Sequence, residues 1–203
     1  MIRTCLFDMG NVLLHFSHEK MCAQIGALCG LSELEMRGLL LDSGTQLDFE
    51  RGRMSEPEFH RWLVAKVAMD MEIDALRVAA SDIFVLNEPM LPILDHLKAL
   101  GIRLVLLSNT SVSHFEFIRE RFDVLDRFDD FVVSFRAGAV KPEAPIYEAA
   151  LRAIHCDPGE CFYTDDIPLY VETGRAFGLE AEVFTDAAAL KGHLRDRGID
   201  LES

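Results

Sequence analysis

Positive charge is what this chain most lacks. Twenty Lys and Arg face 34 Asp and Glu, a formal net charge of -14 over 203 residues. A surface of that sign repels phosphate backbones and anionic headgroups, which excludes nucleic acid or a membrane as the main partner while leaving room for a local anion pocket. Cysteine is also sparse: Cys5, Cys22, Cys29, Cys156 and Cys161 make an odd count with no Cys-x-x-Cys spacing. Cys5 and Cys161 lie within apolar runs, where a free thiol behaves as a small hydrophobe. A reduced, cytoplasmic protein without a cysteine nucleophile is expected. No apolar stretch is long enough to span a bilayer, and the first apolar run stops at Asp8, too soon for a secretory signal. Internal repeats and low-complexity segments are missing too.

Half the residues are apolar and 27% are charged, enough for one large domain or one domain with a sizeable insertion. Short, nearly continuous apolar runs at residues 3–7, 102–107, 131–134, 161–164 and 181–184 read as strands covered on both faces. Helical stripes lie between them: Pro92 to Leu100 stopping at Gly101, Pro145 to Ile154, and Val171 to Phe177 closed by Gly178. This alternation predicts an α/β fold with a doubly wound parallel sheet. Residues 15–88 break the rhythm with helical patterns at 18–29, 32–42, 55–69 and 72–86, the third opened by a capping box of Ser55 and Glu58. They are expected to form an all-helical insertion, a cap over the carboxyl edge of a core made of residues 1–14 and 89–203. Trp62, Met69 and Met71 read as its core, and Arg51 and Arg53 as turn residues, solvated or reaching a substrate anion.

Three strands end in polar residues: Asp8, Ser108, and the pair Asp165 and Asp166. In a parallel sheet these ends line one crevice, and the loop carrying Lys141 opens a helix at the same edge. Three close aspartates cannot all stay ionised without a counter-charge. Hard carboxylate oxygens with no imidazole or thiolate suit Mg²⁺, which keeps waters and binds substrate phosphate. Lys141 and the Ser108 hydroxyl supply further groups for phosphoryl oxygens, so the set is a cradle for a phosphoryl group. A glycine stands at position 10, where a second carboxylate is expected after Asp8.

Phe-Asp-Met-Gly-Asn-Val-Leu at 7–13, Leu-Ser-Asn-Thr at 107–110, Lys-Pro-Glu-Ala-Pro-Ile-Tyr at 141–147 and Tyr-Thr-Asp-Asp at 163–166 occur in the order of the four motifs of the haloacid dehalogenase-like superfamily, which the chain resembles over nearly its whole length. The style is similar to the bacterial α-glucose-1-phosphatase branch of sugar-phosphate phosphatases. The resemblance implies a Rossmann-like core with a helical cap and a Mg²⁺-dependent phosphatase acting on a small phosphorylated metabolite such as a sugar phosphate. It implies that Asp8 attacks phosphorus to give an aspartyl-phosphate. Mg²⁺ would be held by Asp8, the Gly10 carbonyl, Asp165 and Asp166; Ser108 and Lys141 would bind phosphoryl oxygens, and Asn109 would shape the loop. Two positions depart from the pattern. Relatives carry an acid/base aspartate where Gly10 stands, help worth ~10²–10⁴ in rate, and often an acidic residue or asparagine where Tyr170 stands. His15, and less directly His18, are the residues to ask for a replacement proton carrier. Gly10 also opens a second reading, a phosphometabolite-binding protein weakened in catalysis. A third is 2-haloacid dehalogenation by Asp8, which needs no metal.

Overall fold

The computed structural model describes residues 1–201. The chain begins with strands β1 (Thr4–Phe7) and β2 (Leu14–His15), then enters helices α1 (His18–Cys29), α2 (Glu33–Arg37), α3 (Thr45–Glu50), α4 (Glu56–Val67) and α5 (Ile73–Ser81). It returns through β3 (Val85–Leu86) and α6 (Leu91–Ala99) to β4 (Arg103–Ser108), α7 (Val112–Arg121), β5 (Asp130–Val133), α8 (Ser134–Ala137) and α9 (Ala144–Ala153). The last part is β6 (Cys161–Asp165), α10 (Pro168–Ala176), β7 (Glu180–Val183) and α11 (Ala187–Arg195).

Five strands pair in the order β5-β4-β1-β6-β7, all parallel, which is the doubly wound α/β arrangement. Alternate side chains of each strand enter opposite cores, because strand side chains have a period of two. Cys5, Phe7, Leu104, Leu106 and Phe162 pack with Ile93, Leu94 and Leu97 of α6, Phe115 and Ile118 of α7, and Leu190 and Leu194 of α11. Leu6, Val105, Leu107, Cys161 and Tyr163 pack with Ile146, Tyr147 and Ala150 of α9 and Val171 of α10. Both faces are therefore dry, and the chemistry is confined to the strand ends. β1 lies at the centre, between β4 and β6, where the winding reverses direction; ligands of such sheets bind outside the carboxyl ends at that point.

The five helices from α1 to α5 carry a core of their own. Met21, Cys22, Ile25 and Cys29 recur at helical spacing on α1 and meet Met36, Leu40, Phe49, Phe59, Leu63 and Leu76. Phe49 and Phe59 stack with ring centroids 4.6 Å apart. Trp62 and Met71 pack against this core, but Met69 is exposed. α4 carries the capping box of Ser55 and Glu58. The stretch 32–42 is one helical path in two parts, α2 running into a π turn at Gly38–Asp42.

The pattern over 72–86 overruns. α5 stops at Ser81, and Val85 and Leu86 instead pair antiparallel with His15 and Leu14. Asn87 secures this two-strand ribbon by donating to the carbonyls of Leu13 (2.9 Å) and Val12 (2.7 Å). The chain thus enters and leaves the helical segment side by side.

Candidate active site

Asp8 follows the last residue of β1, and its backbone N–H donates to the Thr164 carbonyl of β6 at 3.1 Å, extending the ladder by one residue. The loop then doubles back: the N–H groups of Leu13 and Leu14 both donate to the Met9 carbonyl, and Asn11 sits at φ 55°. Asparagine tolerates that left-handed conformation, and here its side chain donates to Asp166 Oδ2 at 3.0 Å. The Gly10 carbonyl accepts no hydrogen bond among the described residues.

Lys141 reaches the same place from the loop before α9. Asn109, just past β4, clamps that loop with both ends of its amide: Oδ1 accepts from Lys141 N–H at 2.7 Å and Nδ2 donates to Lys141 O at 3.1 Å. The Lys141 ammonium is buried, 2.8 Å from Asp8 Oδ1 and 2.5 Å from Asp165 Oδ2, and donates to the Leu107 carbonyl. Its Nζ also stands 5.1 Å from the ring centre of Tyr170. Asp165 is fully enclosed. Its Oδ2 accepts from Lys141 and from Tyr163 O–H (2.6 Å), and its Oδ1 accepts from Ile167 N–H (2.9 Å).

Burial pushes the Asp8 carboxyl up to about 7, Lys141 pulling it down and Asp165 adding to the rise. Burial works against the charge on Lys141, but Asp8 and Asp165 outweigh it and hold the ammonium above its ordinary value. Asp166 is raised by burial and by Asp165, against the hydrogen bond from Asn11. One oxygen of each of Asp8, Asp165 and Asp166 lies within 4.8 Å of the others. Three carboxylates around one ammonium leave a surplus of negative charge, and Asp8, Asp166 and the Gly10 carbonyl have oxygens not used up by protein donors. That donor set fits a hard divalent cation. Asp165 fits it less well than the sequence suggests, because both of its oxygens already face protein donors.

The crevice over Asp8 is lined by Met9, Gly10, Asn11, Asn109, Thr110, Asp166 and Tyr170 from the sheet side and by Phe16, His18, Leu47, Glu50 and Phe84 from the helical side. Ser108 is buried at the end of β4 and is not in the lining; Asn109 and Thr110 are. His15 is exposed on β2, because strand alternation turns Leu14 inward and His15 out, so it is no candidate for proton transfer. His18 does line the crevice, its ring 5.0 Å from that of Phe16. Arg51 and Arg53 are engaged elsewhere, Arg51 with Glu143 and Arg53 with Asp48. All five cysteines are free, and burial raises the thiols of Cys5 and Cys161. Two residues of the site have no motif to announce them. Phe16 lies directly over Gly10, and Glu50 enters from the end of α3, a helix the apolar pattern does not show.

A parallel sheet whose central strand delivers a carboxylate to a buried lysine, beneath a helical insertion, defines an α/β enzyme with chemistry at the switch point. The chain belongs to the haloacid dehalogenase-like hydrolases, whose family model matches residues 2–178. It is 26% identical over 194 residues to the sesquiterpene phosphatase astK of Aspergillus oryzae, covering 95% of each chain. It is 27% identical to a D-ribitol-5-phosphate phosphatase of Bacteroides thetaiotaomicron, covering 89% of this chain and 90% of that one. A haloacid dehalogenase family enzyme from Bacteroides thetaiotaomicron, crystallised as a mutant with magnesium and inorganic phosphate, shares the fold: TM-score 0.81 at 22% identity, over 92% of this chain and 95% of that one. No described helix is long and apolar enough to cross a membrane.

Proposed function

We propose that this hydrolase is a Mg²⁺-dependent phosphomonoesterase acting on a small phosphorylated metabolite, with Asp8 as the nucleophile. The observation that carries this reading is the ion pair of Asp8 with buried Lys141, beside an Asp166 carboxylate and a Gly10 carbonyl free to take a cation. Asp8, Asp166 and the Gly10 carbonyl would hold Mg²⁺, which when bound supplies the positive charge that lets a phosphate dianion approach carboxylates. Asp8 attacks phosphorus and becomes an aspartyl-phosphate, which water then hydrolyses; two displacements replace one harder one. Lys141 steadies the phosphoryl oxygens, Asn109 holds its loop in place, and Asp165 orients its ammonium. Backbone N–H groups at the end of β4 are the remaining donors for the phosphoryl group, with Ser108 buried just outside the lining.

The magnesium and phosphate of the Bacteroides enzyme and the names of both relatives support this assignment. Those names span a sesquiterpene and a polyol phosphate, so they agree on the bond cleaved and differ on the alcohol. Here Phe16, Leu47, Phe84 and Ile167 make part of the wall apolar, with Glu50 and His18 between them. A sugar or another small alcohol would be read by those side chains from the helical segment. The test is phosphate release from a panel of phosphorylated metabolites, with and without Mg²⁺. Asp8→Asn is expected to fall to the no-enzyme rate on every substrate; release that survives this change ends the assignment. Carbon–halogen hydrolysis would leave the oxygen set around Asp166 without a task.

A further inference from the structure

The leaving alcohol needs a proton, and position 10 cannot give it. A Cβ on Gly10 would sit 2.8 Å from Phe16 Cε1, so an aromatic ring fills the space next to that residue. The other proton carriers on the crevice wall can be taken in turn. His114 has Nε2 3.1 Å from the Ala80 carbonyl, and burial drops its pKa to about 4, so it is neutral near pH 7. Burial lowers His18 as well. Burial raises Tyr170, leaving its phenol too weak an acid. Asp166 belongs with the cation. Glu50 remains.

Resting on the phosphatase reading, we propose that Glu50 is the general acid and base of this enzyme, taking the role that a carboxylate at position 10 would have. Three observations support it. Its Oε1 accepts from Gln46 Nε2 at 2.9 Å, which orients the carboxyl, while Oε2 has no protein partner among the described residues. The residue is also pinned to the sheet: the Ser134 hydroxyl lies 2.6 Å from the Glu50 carbonyl and accepts from Thr110 N–H at 2.9 Å, joining Glu50 to the segment that follows β4. Glu50 and Asp8 line the same crevice, of 210 Å³, so the carboxyl of Glu50 and the nucleophile share one ligand space. Burial also raises the Glu50 carboxyl, against the hydrogen bond from Gln46, favouring the proton-bearing form an acid needs.

The proton balance is closed. As Asp8 bonds to phosphorus and the P–O ester bond breaks, Glu50 gives its proton to the departing oxygen, releasing the alcohol and becoming a carboxylate. In the second step Glu50 takes a proton from the water that attacks phosphorus; the bond to Asp8 breaks, inorganic phosphate leaves, and both carboxyl groups return to their starting states.

The experiment measures kcat/KM for an alkyl phosphate, whose leaving group must be protonated, and for 4-nitrophenyl phosphate, whose leaving group need not be, with Mg²⁺ present. Glu50→Gln is expected to lose ~10²-fold or more on the alkyl ester and less than about tenfold on the nitrophenyl ester. Glu50→Asp, which keeps an acid one methylene shorter, should recover part of the alkyl activity only. It also carries the test if the Gln variant does not fold, since its deficit should again be larger on the alkyl ester. Equal losses on both esters, or none, overturn the role of Glu50 while leaving the phosphatase reading standing. A wild-type protein with no Asp8-dependent release from either ester overturns both.

Discussion

Lys141 shows how much one side chain holds together here. It is buried, and Asp8 and Asp165 flank it at hydrogen-bonding distance. Lys141→Met would keep the volume and leave two buried carboxylates without their counter-charge; removing one partner of such a cluster costs about 3–5 kcal/mol. Urea denaturation without metal should show that loss as a lower midpoint. Gly10 makes the opposite case, a residue whose absent side chain matters. Gly10→Asp alone should disturb Phe16 and gain no activity, because the new Cβ meets the ring at 2.8 Å. Gly10→Asp with Phe16→Ala opens the space, and turnover of an alkyl phosphate should at least match wild type. If only the double variant turns over at all, the native chain is a binder of phosphometabolites. The positions of Asp8, Asp165, Asp166 and Lys141 along one edge were legible because strand ends and loop openings leave local marks. Phe16 over Gly10, and Glu50 tied to Thr110 through Ser134, are contacts across distant segments, which no local spacing encodes.

Among the elements, the five sheet strands were readable to within a residue or two, since a strand dry on both faces is an unbroken apolar run. The apolar run places Ser134 at the end of a strand, whereas it opens α8. α7 and α11 have no matching expectation, and α3 falls between the helical patterns at 32–42 and 55–69, with only its last two residues in the turn that carries Arg51 and Arg53. β3 was absorbed into a helical pattern because a two-residue strand has no period of its own; its partner β2 decides its conformation. The turn after α3 is where the helical segment meets the sheet. Gly52 has φ 70°, and a Cβ there would come within 2.3 Å of the Phe135 carbonyl oxygen. Gly44 has φ 80° with nothing within 4 Å of the same added atom. Gly44→Ala should therefore cost only the left-handed strain, about 1 kcal/mol, whereas Gly52→Ala must also push α8 and the turn apart. Melting temperatures of the two variants should separate these costs, with Gly52→Ala the lower and the only one to impair phosphate release through Glu50.

At the scale of the molecule, the helical segment and the sheet are joined by a polar seam that senses pH. His114 of α7 is buried against α5, its ring 5.3 Å from Phe84 and its Nε2 on the Ala80 carbonyl. Its pKa is about 4 when folded, against 6.5 ordinarily, so the unfolded chain binds the extra proton first. The contribution is fully present above pH 6.5 and is lost as pH falls toward 4, a change of about 3 kcal/mol for a shift of this size. Wild type should lose more stability than His114→Asn between pH 7.5 and 4.5 in urea titrations; equal losses would remove His114 as the cause. The β2–β3 ribbon has a consequence of another kind. Leu14 and Leu86 are direct partners, so the polypeptide leaves the sheet and comes back at nearly the same point. The cost of closing the loop between them grows only with the logarithm of its length, about 0.6 kcal/mol for each doubling. Such a seam accepts helical segments of different length or design without moving Asp8, which makes it the natural joint for grafting a new substrate-reading unit onto this sheet.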